Sequence, residues 1–401
     1  MKLGYGRGYL ELETLGEVVL PGELPAAGDC EIERALDEPI GRHLTNLSGN
    51  SAVILASDIT RPAPSYFMIP PLQRMLKHMG ISEIKVIFAL GTHRRMDPGE
   101  EKALLKDCIG LPHMQHDPER CVSVGKTSRG TPVEILEDVA SSDLVIATGN
   151  IEYHYYAGYS GGAKAMLPGV SSGKSIVRNH ELMRDPCAVS GRVDSPVRQD
   201  MEEAAAIGGL DYILNVVLNS RQEIVRAVAG DFVRAHRAGA EVVDQMYRRV
   251  IKPAEIVVAC AGGMPKDINL FQAQKALDNS KNAAVPGGTI ILVAECSEGL
   301  GNSVFERWAN EAKCAEDCIE RFGREYEFGG HKAAFLAMES LKHDLILVSS
   351  IPPEKVRKCF FTPAKTLNEA ISMAQERQGK DARMIVMPHG NLTLAAAAQK
   401  Q

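Results

Sequence analysis

Short, almost wholly apolar runs recur along this chain at 52–56 (AVILA), 84–90 (IKVIFAL), 144–148 (LVIAT), 256–259 (IVVA), 289–294 (TIILVA), 345–349 (LILVS) and 384–387 (MIVM). A strand that is apolar on both faces needs cover on both faces, and a parallel sheet wrapped by helices provides it. The stretches between the runs supply the helices. Residues 66–79, 200–206 and 233–249 carry apolar side chains at helical spacing, and 366–378 opens with TLNE, a capping-box pattern that fixes its start. The alternation predicts the α/β class with largely parallel sheets.

A length of 401 residues calls for more than one domain. Lys252-Pro253 follows a helical stretch and precedes an apolar run, which puts the boundary near residue 250. The expected division is an α/β domain over 1–250, with a C-terminal tail, 390–401, able to pack back on it. A smaller α/β domain follows over 251–389. A cleft between two such domains is the expected place for a ligand and an active site.

The charge balance, net −6, argues against general affinity for nucleic acid or anionic lipid. The N-terminus has no apolar signal core, and no run reaches the roughly eighteen apolar residues that span a bilayer. Nine cysteines, an odd number with no CxxC pair, fit reduced thiols better than a disulfide framework or a cysteine-held zinc. Together these features predict a cytoplasmic protein without a nucleic-acid or membrane partner.

The chemistry-bearing residues stand just past the carboxyl ends of the predicted strands, the edge where open α/β sheets bind ligands. After AVILA comes Ser57-Asp58-Ile59-Thr60-Arg61-Pro62, after IKVIFAL comes Gly91-Thr92-His93, and after LVIAT comes Gly149-Asn150-Ile151-Glu152-Tyr153-His154. Arg61 suits a carboxylate or phosphate held bidentately, with Asp58 orienting it; a plain Asp–Arg brace of the loop fits the spacing equally well. His93 and His154 suit general acid and base work, because an imidazole exchanges its proton near neutral pH.

Gly158-Tyr159-Ser160-Gly161-Gly162-Ala163-Lys164 follows. Its glycines allow close backbone approach to an anion, and Lys164 suits either a phosphate contact or a covalent amine. A turn with a surface lysine is the plainer alternative. Gly169-Val170-Ser171-Ser172-Gly173-Lys174-Ser175 resembles a phosphate loop but has one residue too few between its glycines. His180 stands in VRNH with no second ligand at helical spacing, so a metal there needs ligands from elsewhere or from a cofactor. Further on, Gly262-Gly263-Met264-Pro265-Lys266-Asp267 leads into a helix from about Asn269 that carries Gln272 and Lys275 on one face.

DITRP, GTHRR, NIEYH, YSGGAKAMLPG, VRNH and GGMPKDINLFQAQK occur in this order from about 57 to 275, and VMPHGNLTL follows near the end. Taken together, the series resembles the lactate racemase family and covers nearly the whole chain. The resemblance implies a nickel-pincer nucleotide, a pyridinium mononucleotide with two sulfur-containing arms, joined covalently to Lys164. Two sulfurs and a ring carbon of that cofactor would hold nickel, with His180 as the protein ligand, a soft and roughly square-planar set that suits nickel(II).

It further implies that His93 and His154 are the acid/base pair of a racemase or epimerase acting at C2 of a small 2-hydroxy acid by reversible hydride transfer. Arg61, Gln272 and Lys275 match substrate contacts, with Phe271 beside them. Asp58, Thr60, Tyr159, Ser160, Gly161 and Gly162 match residues around the cofactor. Cofactor-making maturation proteins become expected partners. Phe271 is a departure, because the family's lactate enzyme has a tyrosine there; losing that hydroxyl points to a different acid. Two other readings stay open on the residues alone: a nucleotide-dependent phosphotransferase using 169–175, and a non-enzymatic anion- or cofactor-binding protein.

Overall fold

The apolar runs become the strands of two six-stranded sheets, one in each of two units of the chain. The computed structural model describes residues 1–13, 16–28 and 30–397. One unit is Glu23–Met246, and the other joins Met1–Gly22 to the chain from Tyr247 onward.

In the Glu23–Met246 unit the strands are β1 (Ser51–Ser57), β2 (Glu83–Ala89), β3 (His113–Gln115), β4 (Leu144–Asn150), β5 (Leu210–Leu218) and β6 (Ile224–Gly230), in the order β6-β5-β4-β1-β2-β3. All neighbours are parallel except the β5–β6 hairpin. Register pairs Ser57 with Ala89 and Leu55 with Ala147, so the segments leaving β1, β2 and β4 emerge along one edge. Helix α1 (Ser65–His78) buries Met68, Ile69, Leu72 and Leu76 in the core that also holds Ile54, Val86 and Ile146. Helices α2 (Gly173–Glu181), α3 (Pro196–Ile207) and α4 (Arg234–Tyr247) complete what the site requires.

Several features differ from the sequence expectation. β5 and β6 were not foreseen, because Asp211 and Asn215 interrupt the apolar pattern of β5. The helix expected over 233–249 stops at Tyr247, since Arg248–Ile251 is drawn into a parallel pair with Leu394–Ala397. That pairing also places the tail, as far as it is described, in the second unit, as a strand; 398–401 lie outside the described residues.

The second sheet contains β7 (Ala254–Cys260), β8 (Ala284–Val293), β9 (Asp344–Val348), β10 (Thr362–Ala364) and β11 (Met384–Met387), all parallel, in the order β10-β9-β8-β7-β11. Glu17–Val18 adds to its β11 edge. The first 22 residues, expected in the first domain, therefore group with this unit. The hairpin of Lys2–Tyr5 and Gly8–Glu11 also docks there: Gly6 donates to the Asp267 carboxylate at 2.7 Å, and a Cβ on Gly4 would stand 2.7 Å from the Gly262 carbonyl carbon. This unit carries helices α5 (Leu270–Ser280), α6 (Gly330–Ser340) and α7 (Leu367–Gln378). Thr366 caps α7 by accepting from the Glu369 amide at 3.1 Å, while the Glu369 carboxylate accepts from the Lys365 amide.

Candidate active site

Asp58 directly follows β1 and is only 3% exposed. One oxygen accepts the Thr60 amide at 2.7 Å, and the other lies 2.8 Å from Nδ1 of His93, which leaves β2. An ionised carboxylate only accepts, so Nδ1 carries the hydrogen and the neutral ring has its lone pair on Nε2. Asp58 thus orients His93. Its only hydrogen bond with Arg61 is through the backbone, where the Arg61 amide donates to the Asp58 carbonyl at 3.1 Å. The Arg61 guanidinium instead stands 4.0 Å from Glu152 and is partly exposed.

Burial alone would raise the Asp58 pKa, but the hydrogen bonds from His93 and Thr60 and the His93 charge outweigh it and hold the carboxyl at about 2. A depressed folded-state value means the stabilisation is present above the ordinary carboxylate range and is lost as pH falls through about 2. Wild type should therefore lose about 2 kcal/mol relative to Asp58→Asn between roughly pH 4 and pH 2. Urea unfolding across that range would show it. Equal acid sensitivity of the two proteins would contradict the Asp58–His93 bond.

A second group forms beyond β4. His154 Nε2 is 3.0 Å from Lys164 Nζ. Its ring stacks on Tyr155 and meets the ring of buried Tyr156 edge-on at 4.4 Å. The Tyr156 hydroxyl reaches Nε2 of His180 at 2.5 Å, and the Lys164 amine lies 5.7 Å from the Tyr156 ring centroid. His180 closes α2, and its Nδ1 donates to the carbonyl of Ile176, one turn back, at 2.7 Å. Burial first, then the Lys164 charge, push its pKa down to about 3, with the Ile176 bond acting the other way. His180 is a neutral imidazole at ordinary pH, with its lone pair on Nε2, as a metal ligand requires. Among the described residues no group of three or more His, Cys, Asp or Glu is placed to hold a metal.

The loop between these histidines is braced from below. Gly161 and Gly162 have φ of 72° and 58°, and a Cβ at either would fall 2.9 Å from Asn215 or His236 respectively. Arg198 of α3, fully buried, donates to the carbonyls of Ala157, Tyr159 and Gly161. Burial lowers its pKa to about 10, so it remains charged at neutral pH. Asn215 accepts the Gly162 amide at 2.7 Å, and His236 Nε2 donates to the Ser160 carbonyl at 2.8 Å. The Ser160 hydroxyl donates to the Asn150 carbonyl and accepts the Glu152 amide, and the Tyr159 hydroxyl donates to Asp244. The polar groups of Tyr159, Ser160 and Gly162 therefore anchor the loop that carries Lys164 to its surroundings. Sequence reasoning missed Tyr156, Arg198, Asn215 and His236; only Tyr156 carried a signal, its place between His154 and the glycine loop.

The segment 169–175 does not form a phosphate loop. Ser172 caps α2 by accepting the Ser175 amide, and the exposed Lys174 pairs with Glu134 at 3.3 Å.

In the other unit Asn269 caps α5 by accepting the Gln272 amide, and Lys275 follows one turn later, exposed. The Phe271 ring lies in an aromatic cluster, 6.4 Å from Phe305, 6.0 Å from Phe328 and 6.4 Å from His331. Burial, then the charge of Lys275, lower the pKa of Lys332 on α6 to about 7.

Residues 5–191 match the lactate racemase N-terminal domain, and residues 250–394 match the lactate racemase C-terminal domain. The lactate racemase of Thermoanaerobacterium thermosaccharolyticum is 35% identical over 376 residues, covering 90% of this chain and 88% of that one. The lactate racemase of Lactiplantibacillus plantarum is 31% identical over 379 residues, covering 90% and 89%. The apoprotein structure of the Thermoanaerobacterium enzyme superposes with a TM-score of 0.92 at 32% identity, covering 98% of this chain and 99% of that chain. A Thermotoga maritima structure shares the fold, with a TM-score of 0.66 at 19% identity over 95% of this chain and all of the other. On this agreement of sequence, both domains and fold, the chain belongs to the lactate racemase family, a family of isomerases.

Proposed function

We propose that this protein inverts the C2 centre of a short 2-hydroxy acid, using a nickel-pincer nucleotide tethered to Lys164 and His93 and His154 as acid and base. The observation that carries the reading is the grouping of His154, Lys164 and a neutral, buried His180 around Tyr156. One histidine with its lone pair fixed on Nε2 suits a metal that receives its remaining ligands from a bound nucleotide.

When bound, that group supplies acceptance and return of the C2 hydrogen as hydride, chemistry that no side chain provides. The chain moves the hydroxyl proton. His93 presents Nε2 as the base, and Asp58 on its other nitrogen stabilises the imidazolium that forms. His154 serves the opposite enantiomer. In the chain as described, Lys164 faces its Nε2; an amine used in a covalent bond no longer holds that lone pair as an ammonium, so tethering readies His154. A carbon that becomes planar and regains hydrogen on its other face is inverted, and the two histidines exchange roles between directions.

Arg61, partly exposed on the same strand-end edge, is assigned the substrate carboxylate. Family likeness adds Gln272 and Lys275 as substrate contacts. Phe271, in its aromatic cluster, offers an apolar surface without a hydroxyl, which favours an acid other than lactate. Around the nucleotide, Asp58, Thr60 and the 159–162 loop act by positioning His93 and Lys164. Nine free thiols suit the reducing cytoplasm, where maturation proteins would deliver the nucleotide.

Chain produced together with the nucleotide-making enzymes should interconvert the enantiomers of at least one acid in a panel of short, aromatic and dicarboxylic 2-hydroxy acids, followed by chiral chromatography. Nucleotide bound without turnover across the panel would make the chain a cofactor carrier instead.

A further inference from the structure

Tyr156 joins three of the groups above. Its hydroxyl is on His180 Nε2 at 2.5 Å, its ring meets His154 edge-on at 4.4 Å, and the Lys164 amine stands 5.7 Å from its ring centroid. The side chain is 5% exposed, as is that of His180. The Ile176 carbonyl occupies Nδ1, so the hydroxyl on Nε2 acts as donor. The lone pair that a metal must take is therefore already in use by a hydroxyl of this chain.

We propose that Tyr156 is a positioning residue for cofactor loading, its hydroxyl holding the place of the metal on His180 until the nucleotide arrives. The inference rests on the assignment of His180 as the metal ligand. A buried acceptor left unsatisfied is costly, and the hydroxyl satisfies it in the cofactor-free chain, while the Nδ1 bond to the Ile176 carbonyl holds the ring in place. The Ile176 bond keeps one tautomer, and loading exchanges the Tyr156 hydrogen bond on Nε2 for a metal–nitrogen bond. The Tyr156 hydroxyl therefore both preserves the ligand and competes with the metal. Removing only the hydroxyl should leave the ring packing on His154 intact while ending the competition.

The test compares wild type with Tyr156→Phe. Histidine ¹⁵N spectra of the cofactor-free chain should show the His180 Nε2 resonance moving toward that of an unbonded lone pair, with Nδ1 little changed. Intact mass against added nickel-loaded nucleotide should show the Lys164 adduct forming at about tenfold lower nucleotide concentration in Tyr156→Phe, the factor expected for one competing hydrogen bond. In a His180→Gln background the same tyrosine change should alter loading little, since the two act through each other. An unmoved Nε2 resonance, or equal loading of Tyr156→Phe and wild type, overturns the placeholder role. An adduct absent from both chains, with the Nε2 shift present, overturns the cofactor assignment while leaving the hydrogen bond established.

Discussion

Replacing His93 or His154 by glutamine should lower kcat for enantiomer interconversion by about a hundredfold to ten-thousandfold in either variant, the span set by loss of a positioned general acid or base. Glutamine keeps the side-chain bulk and a polar end but cannot exchange a proton near neutrality. In the proposed scheme each turnover uses both bases, one to take the hydroxyl proton and the other to return it, so neither compensates for the other. The double variant should be little worse than the worse single variant, because residues acting in one sequence are not additive. Chiral chromatography of timed reactions measures all three. Full activity in either single variant would remove the two-base scheme. The Asp58–His93 bond at 2.8 Å makes a graded case, in which Asp58→Asn retains the imidazole but replaces the carboxylate on its Nδ1 with a neutral amide.

Lys164→Arg should abolish both the covalent adduct and turnover. Arginine preserves a cation near His154 Nε2, now 3.0 Å from the lysine amine, but at physiological pH its guanidinium is not a nucleophile. The variant separates two roles that alanine would merge. If Lys164 serves only as a charge, arginine should keep much of the activity; if it forms the tether, intact mass should show unmodified chain and activity should fall to background. The bracing of the loop by Arg198, Asn215 and His236 favours a clean outcome, because these residues hold the backbone around position 164 from outside it.

Strands such as 384–387 were legible in the sequence because they are buried on both faces and admit almost no polar residue. β5 was not, since Asn215 breaks its pattern in order to take the Gly162 amide from the loop above. The place of the first 22 residues depended on pairings with Met384–Met387 and the 262–267 loop, long-range choices that local composition does not carry. Within the candidate site, His93, His154, Lys164 and His180 could be singled out because strand ends and an ordered motif series mark them. Their partners could not. From the sequence Asp58 was read only with its near neighbour Arg61, and only the fold brings its carboxylate to the His93 imidazole. Arg198 lies in an ordinary helical stretch, and its role appears only where three loop carbonyls converge on it.

In the proposed enzyme a nickel-bearing nucleotide is held by Lys164 and His180. Nickel content and intact mass, measured together on chain co-produced with active maturation enzymes, test it most directly. One nickel per chain with a mass increase carried on Lys164 is the predicted result. Neither nickel nor adduct, from maturation enzymes shown to be active on another family member, would contradict it.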